Sequence, residues 1–211
     1  VLLDMRGIVK EFSGVRVLDG VSFQLSRGSV HALMGENGAG KSTLMKILCG
    51  IYPATEGEIF MDGKTAEIHS PIDAKRLGIA MIHQELSAFH ELTVAANMFM
   101  NREYKRFGLL DEARMNRAAA EILADLNINI DPRVKMRSLS VAEMQLVEIA
   151  KAVSTDAEII IMDEPTSALT EAEVANLYDT VRDLKSRGKA IVYISHKIEE
   201  IFAIADEITE L

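Results

Sequence analysis

Residues 35–43 read Gly-Glu-Asn-Gly-Ala-Gly-Lys-Ser-Thr and match the pattern G-x-x-x-x-G-K-[ST] at every fixed position. The preceding run, Val30–Met34, is short and mostly apolar, which is typical of a buried strand. Residues 43–48 then repeat apolar side chains at helical spacing. In this strand–loop–helix context the pattern indicates a phosphate-binding loop, so we predict that the chain binds a nucleoside triphosphate.

The chemistry of a phosphate chain explains these residue types. Glycines let consecutive backbone N–H groups curve around the phosphates, and the positive end of the following helix points at the same place. Lys41 is predicted to reach the β- and γ-phosphates, Ser42 to ligate Mg²⁺, and Thr43 to lie on the α-phosphate side. The predicted ATP-binding residues of the loop are Gly35, Glu36, Asn37, Gly38, Ala39, Gly40, Lys41, Ser42 and Thr43. The alternative, a glycine-rich turn that merely contains Lys-Ser, does not account for the flanking pattern.

Composition and charge restrict the class of protein. The 211 residues carry a formal net charge of −9 and are 48% hydrophobic, which allows a sizeable core and gives no support for nucleic-acid binding. The single cysteine, Cys49, cannot form an internal disulfide, so we expect it to be a small buried residue in a reducing, cytosolic compartment. We expect neither a signal peptide nor a membrane-spanning segment, since no apolar run approaches roughly 18 residues.

The strand and helix patterns predict an α/β fold. Residues 2–9, 15–18 and 21–25 read as strands, with Asp19-Gly20 as a hairpin turn. Further strands are predicted over 57–62, 78–83, 158–162, 190–194 and 206–211, and helices over 72–77, 170–186 and 199–204. We therefore predict an ATP-binding core over 1–85 and 156–211.

Residues 86–155 differ from the rest, because strand-like runs are absent and helical patterns replace them. Helices are predicted over 94–100, 112–126 and 140–153, with Thr93 and Ser140 as N-caps. Glu143, three residues after Ser140, completes a capping box. We interpret this block as a helical insertion in the α/β domain.

Polar side chains follow several predicted strands, where α/β sheets bind ligands. After 158–162, Asp163 is expected to hold Mg²⁺ through water, and Glu164 to orient or deprotonate the attacking water. His196 follows 190–194, where it can contact a γ-phosphate. Gln84 follows 78–83 as a candidate Mg²⁺ or water contact, although a glutamine at such a position is more often plain surface. Phe12 follows the first strand and can stack on a base or pack in the core.

Taken in order, Phe12, GENGAGKST, Gln84, Leu139-Ser140, IIIMDEPTSAL and His196 resemble the motifs of an ABC-transporter ATPase domain. The resemblance covers essentially all 211 residues. The segments MIHQEL, LTVAANMFMNRE, LSVAEMQLVEIAKAV and DEPTSALT resemble, more narrowly, the first nucleotide-binding domain of bacterial importers for monosaccharides such as ribose, galactose, xylose and arabinose. This implies a P-loop NTPase fold with a RecA-like parallel sheet, and a chain that is the N-terminal half of a longer polypeptide.

The resemblance implies roles for residues of the chain's own site. Phe12 would stack on adenine, Gln84 would join Mg²⁺ coordination and couple to the membrane subunit, and residues 35–43 would wrap the phosphates. Glu164 would be the general base, and His196 would hold the γ-phosphate. The implied catalytic residues are Glu164, His196, Lys41 and Gln84, and the implied Mg²⁺ ligands are Ser42, Gln84 and Asp163.

The resemblance also implies partners. Two such domains clamp two ATP molecules head to tail, so Ser140 would reach the ATP of a second ATPase domain, and residues 167–169 would cross that interface. A separate membrane permease would carry the sugar, and a periplasmic or extracellular sugar-binding protein would act indirectly. The chain would then lie at the cytoplasmic face of the membrane.

The signature segment departs from the usual LSGGQ of the family. It reads Leu139, Ser140, Val141, Ala142 and Glu143. Ala142 adds a methyl group and Glu143 a negative charge where phosphate is expected, which supports a weakened signature. The alternative is that Ser140 and the helix N-terminus suffice.

Other classes remain as alternatives. A soluble ABC protein acting on ribosomes or DNA would usually carry basic patches or long coiled coils, and neither is found in this acidic sequence. A regulatory module without hydrolysis conflicts with the presence of Lys41, Asp163, Glu164 and His196. A kinase would have no role for the signature or for His196.

Overall fold

Parallel strands that end in polar residues form the centre of the fold. The computed structural model describes residues 1–36, 38–83 and 88–211. Its strands are β1 (Leu3–Phe12), β2 (Val15–Leu25), β3 (Val30–Met34), β4 (Glu56–Met61), β5 (Lys64–Thr65), β6 (Ile79–Ile82), β7 (Lys105–Arg106), β8 (Leu109–Leu110), β9 (Ile159–Asp163), β10 (Ala190–Ile194) and β11 (Glu207–Glu210). Its helices are α1 (Lys41–Leu48), α2 (Pro71–Arg76), α3 (Val94–Met98), α4 (Glu112–Asp125), α5 (Val141–Val153), α6 (Glu171–Ser186) and α7 (Ile198–Ile204), with a 3₁₀ turn at Met136–Ser138.

The parallel sheet has the strand order β11-β3-β10-β9-β6. Successive side chains of a strand point to opposite faces. In β9, Ile159 and Ile161 pack into one core, and Ile160 and Met162 pack into the other. Because both faces are covered, the strand reads as a continuous apolar run. The predicted α/β core with a parallel sheet is confirmed.

An antiparallel sheet with the order β2-β1-β4-β5 packs with α1 against one face of the parallel sheet. The predicted hairpin at residues 19–20 is wrong, because β2 continues through them and the chain reverses at residues 13–14. The pairing leaves one residue of β1 opposite residues 19 and 20, which therefore form a bulge. Gly20 has φ +68°, and both a bulge and a tight hairpin favour glycine at positive φ.

The other face of the parallel sheet is covered by a core that includes α3, α4 and α5. Thr93 caps α3, which ends two residues earlier than predicted, and the predicted capping box opens α5. The expectation of no strands here is wrong, since β7 and β8 form a small antiparallel hairpin turning at Phe107-Gly108. Strands of two residues are too short to produce a periodic pattern. No helix in the three described ranges is long and apolar enough to cross a bilayer.

Capping residues mark the beginnings of α2 and α6, two further helices that the sequence predicts. Ser70 caps α2, and a capping box of Thr170 and Glu173 opens α6. Cys49 is buried, with Sγ 3.7 Å from Met81 Sδ, and burial raises the pKa of its thiol to about 12. Cys49 is therefore the small buried residue that the sequence predicts.

Candidate functional site

The loop after β3 and the acids at the end of β9 line one open cleft of about 340 Å³ at the carboxyl edge of the parallel sheet. Its lining residues are Val17, Gly38, Gly40, Lys41, Ser42, Thr43, Asp163, Glu164 and Ile194. β3 and β9 both neighbour β10, so their carboxyl ends open at the same edge. The structure thus brings the predicted phosphate-binding loop and the predicted acidic pair together.

Lys41 is buried at the start of α1, with only 7% of its surface exposed. Its Nζ atom donates to the backbone oxygen of Gly35 at 2.6 Å and to that of Glu36 at 2.9 Å. A buried ammonium group needs such partners, because an unpaired one would be costly. Both oxygens belong to the loop itself, so the loop curls around its own cation.

The N-terminus of α1 faces this cleft without a side-chain cap. Gly40 is the N-cap residue, and neither a capping side chain nor an acidic residue occurs in the first turn. The first-turn N–H groups therefore remain available to an anion, and the helix dipole favours one.

Glycine is required at Gly40 for two reasons. Its φ is +98°, in the region that other residues rarely adopt. A Cβ atom there would also lie 2.5 Å from Leu18 Cδ2 and 3.1 Å from the backbone oxygen of Val17. Similarly, a Cβ at Gly35 would lie 2.6 Å from the backbone oxygen of Leu211. The loop can follow this path only because both positions lack a side chain.

The acidic pair lies in a partly desolvated position. Burial raises the pKa of Asp163 above its ordinary value, and the adjacent charge of Glu164 raises it further. Glu164 has φ +45°, a left-handed conformation that costs on the order of 1–2 kcal/mol for a residue with a side chain. Its backbone N–H donates to the oxygen of Ile194 at 3.0 Å, so β10 holds the residue in place.

His196 follows β10 and meets Glu164 directly. Its Nδ1 atom lies 3.1 Å from Oε1 of Glu164, and which atom carries the proton depends on the tautomer. The His196 side chain is 58% exposed, against 21% for Glu164. The imidazole therefore lies over the acid and still has a solvent-facing side.

The oxygen donors of the cleft fit an Mg²⁺ ion. Ser42 and Asp163 line the same space, and hydroxyl and carboxylate oxygens are ligands that Mg²⁺ prefers. A cation here would offset the negative charge that burial makes costly on Asp163. In the part of the chain that the structure describes, no three His, Cys, Asp or Glu residues form a metal cage. Mg²⁺ is usually bound by one or two protein ligands together with substrate phosphates, so a cage is not needed.

Other predicted site residues lie apart from this cleft or outside the described residues. Phe12 is 37% exposed, with its ring edge-on to Tyr52 and the Nζ atom of Lys10 4.8 Å from the ring centroid. It is not among the described residues that line the cleft. Asn37 and Gln84 lie outside the described residues.

The signature segment lies at the start of α5, and none of its residues lines the cleft. Ser140 is exposed, and its Oγ accepts from the N–H of Glu143 at 3.2 Å. In return, Oε2 of Glu143 accepts from the N–H of Ser140 at 2.7 Å. Val141 is exposed, Ala142 is buried and Leu139 packs partly buried against the helical core. The carboxylate of Glu143 thus lies against the N-terminus of its own helix.

Sequence reasoning missed two apolar residues of the cleft, Val17 and Ile194. Ile194 ends a predicted strand, so its place beside the acids follows once β9 and β10 are paired. Val17 reaches the site because β2 passes over Gly40. No local signal in the sequence places β2 there.

Comparison with known proteins gives close relatives over nearly the whole chain. A "Putative ribose/galactose/methyl galactoside import ATP-binding protein 2" of Burkholderia lata is 55% identical over 98% of this chain and 39% of its own length. The Rhizobium etli protein of the same name is 57% identical over 98% of this chain and 40% of its own length. The chain therefore spans about two-fifths of the length of the curated relatives it matches.

Solved structures have the same fold. A nucleotide-free ATP-binding cassette from an ABC transporter superposes with a TM-score of 0.89 at 28% identity, covering 100% of this chain and 87% of that one. The ADP conformation of an ATP-binding cassette of an ABC transporter gives 0.86 at 28% identity, with the same coverage. The architecture, including the antiparallel sheet and the helical insertion, is that of an ABC ATPase.

The sequence model of the family described as "ABC transporter" matches residues 18–167. This range contains the predicted phosphate-binding loop, the helical insertion and the acidic pair. Sequence match, fold and cleft agree, and the chain belongs to the ABC transporter family.

Proposed function

We propose that this chain binds and hydrolyses ATP to power the import of a monosaccharide through a separate membrane permease. The observation that carries the proposal is the single cleft in which Lys41 and Ser42 face Asp163 and Glu164, with His196 3.1 Å from Glu164. Relatives named as import ATP-binding proteins for ribose, galactose and methyl galactoside support the choice of cargo.

The chain's residues divide the work of hydrolysis. Lys41 and the N–H groups at the start of α1 bind the phosphates. Ser42 and Asp163 would hold Mg²⁺, which would neutralise negative charge on the phosphate chain. Glu164 orients a water and accepts its proton as the water oxygen bonds to the γ-phosphorus and the bond to the β–γ bridging oxygen breaks. His196 meets Glu164 through Nδ1, and a protonated Nε2 would donate to a γ-phosphate oxygen. Gln84 is proposed to join the Mg²⁺ shell, and Phe12 to stack on adenine.

The proposed partner at the site is a second ABC ATPase domain, arranged head to tail. Ser140 is exposed, and residues 139–143 do not line the cleft of their own chain. A position outside the lining of their own cleft is what the arrangement requires, since the signature would serve the ATP bound to the partner. The exposed residues 167 and 168 would lie in that interface.

The remaining partners follow from the import role. The permease would dock at the cytoplasmic face of the membrane, and a sugar-binding protein would deliver the cargo from the other side without touching this chain. Because relatives are more than twice as long, we propose that residues 1–211 form a single ATPase domain at the N-terminal side of a two-domain polypeptide.

Two measurements test the proposal. Mg²⁺-dependent ATP hydrolysis by the chain should increase in specific activity with protein concentration, because Ser140 of one copy completes the site of another. Vesicles containing the full-length ATPase and its permease should take up ribose or galactose only when ATP is enclosed on the ATPase side. Absence of hydrolysis in both preparations would contradict an ATPase, and ATP-independent uptake would contradict the coupling.

A further inference from the structure

A carboxylate that the proposed chemistry does not use is buried directly behind the site. Glu200 of α7 is only 6% exposed. Its Oε2 accepts hydrogen bonds from the hydroxyls of Tyr193 and Ser195, each at 3.0 Å. Its Oε1 accepts from the hydroxyl of Thr166 and lies 3.0 Å from Nζ of Lys197. Each oxygen of the carboxylate therefore has two polar partners.

The arrangement keeps Glu200 ionised. Burial by itself would raise the pKa of this carboxyl, but the hydrogen bonds from Thr166, Lys197, Ser195 and Tyr193 outweigh burial and lower it. A buried charge of this kind is rarely the best route to stability, since well-packed apolar residues often do as well. A role other than stability would account for the buried charge.

The donors come from the two segments that carry the reactive pair. Thr166 is two residues after Glu164, in the loop that leads to residues 167–169. Ser195 immediately precedes His196, and its Oγ also accepts from the N–H of Lys197 at 3.1 Å. One carboxylate thus fastens the chain on both sides of the contact between His196 and Glu164.

We propose that Glu200 is a positioning residue that fastens the His196 segment to the Glu164 loop, so that the two reactive side chains and the residues crossing to the second ATPase domain keep one geometry. The inference rests on the proposed ATPase function. Glu200 would not contact ATP, water or metal. Its effect would be to set the distance between imidazole and carboxylate, and a displacement of about 1 Å at such a site can cost a large factor in rate.

The test compares Glu200→Gln with Glu199→Gln in the full-length ATPase assembled with its permease. Glutamine keeps the volume, but its amide nitrogen cannot accept a hydrogen bond, so at least one hydroxyl loses its partner. Glu199 is exposed on the same helix and is the matched control. Glu200→Gln should lower kcat for ATP by about tenfold or more and leave KM within about twofold, because the phosphate-binding loop is untouched. Glu199→Gln should match the wild type in both.

A second pair of variants separates positioning from folding. Thr166→Val removes the hydroxyl at nearly constant volume, and Thr166→Ser keeps it. Thr166→Val should lower kcat as Glu200→Gln does, Thr166→Ser should restore it, and the double variant Glu200→Gln/Thr166→Val should be no worse than the poorer single variant. If Glu200→Gln does not fold, the Thr166 pair decides.

Hydrolysis by the wild-type assembly separates a failure of the positioning role of Glu200 from a failure of the proposed ATPase function. A wild-type assembly that does not hydrolyse ATP contradicts the ATPase itself. A wild type that hydrolyses ATP while Glu200→Gln keeps its kcat, or while both Thr166 variants behave alike, overturns the positioning role. A tenfold or larger rise in KM with unchanged kcat also overturns it, because it would place Glu200 in nucleotide binding.

Discussion

Nδ1 of His196 and Oε1 of Glu164 lie 3.1 Å apart, although 31 residues separate them in the chain. Pairing of β9 with β10 makes the contact, because parallel neighbours end at the same edge of the sheet. An acid and an imidazole thus meet over a cleft lined by the predicted phosphate-binding loop.

Replacing the proposed base should separate binding from chemistry. Glu164→Gln should bind Mg²⁺-ATP with nearly wild-type affinity and lose hydrolysis by about 100-fold or more, the scale of a lost general base. Steady-state phosphate release and equilibrium ATP binding measure the two effects. Glu171→Gln, at the exposed start of α6, is the control and should behave as the wild type. Undiminished turnover in Glu164→Gln would contradict the role of Glu164 as the general base.

Gly40→Ala should damage both the loop and the stability of the domain. The new Cβ would lie 2.5 Å from Leu18 Cδ2, and the alanine would have to adopt a φ near +98°. We therefore expect a loss of about 1–3 kcal/mol in the free energy of unfolding, together with weak ATP binding. Gly63→Ala is the matched control. Gly63 has φ +73° but nothing within 4 Å, so it should show the smaller cost of backbone strain alone and keep ATP binding. Denaturant melts and ATP titrations check both; equal losses would exclude the steric explanation.

Asp163→Asn should stabilise the nucleotide-free protein and abolish Mg²⁺-dependent hydrolysis. The folded pKa of Asp163 is raised, so the native state holds its proton more tightly than the unfolded state, and stability contributed by this group is lost as pH rises through the raised pKa. Asparagine does not ionise, so the variant does not lose stability as the pH rises. The gain at neutral pH should be below about 1 kcal/mol, because solvent screens a partly exposed group. Melting curves of the wild type and of Asp163→Asn, measured between pH 4 and about pH 8, should converge at the acidic end. A wild type that is less stable than Asp163→Asn by the same amount at every pH would contradict the raised pKa of Asp163.

Glu143→Gln should raise turnover in the assembled ATPase by a few-fold and lower the free energy of unfolding by no more than about 1 kcal/mol. Glutamine preserves the capping box with Ser140 and removes a negative charge from a helix end expected to face phosphate. Glu143→Ala is the informative control, since it also removes the charge but loses the hydrogen bond from the Ser140 N–H, at a cost of about 0.5–1.5 kcal/mol. Turnover that does not change in Glu143→Gln would favour the alternative that Ser140 and the helix N-terminus suffice.

The sequence predicts those parts of the fold that carry strong local signals. The glycine loop, the capping box at Ser140 and the apolar strand before Asp163 all lie where the sequence predicts them. The hairpin predicted at Asp19-Gly20 is wrong because glycine at positive φ is favoured in a bulge as well as in a hairpin turn. The hairpin of β7 and β8 is too short to leave a pattern.

The buried cluster around Glu200 could not be predicted for a different reason. Glu199 and Glu200 are adjacent acids in a short helix, and the residue types alone do not show which one faces inward. The choice depends on how α7 packs over β10 and on Thr166, which lies 34 residues earlier in the chain. Long-range packing of this kind has no local signature.

The hydrogen bonds from Lys41 to the loop's own backbone oxygens have a consequence for ligand discrimination. The two carbonyl oxygens are neutral and use two of the three N–H donors of the ammonium group, so the loop holds Lys41 in place without neutralising its charge. A phosphate oxygen that accepts from the remaining donor would form a charge-assisted hydrogen bond, which is stronger than one to a neutral acceptor. The attraction grows with the charge that the nucleotide brings near Nζ, so a triphosphate should bind more tightly at Lys41 than a monophosphate does.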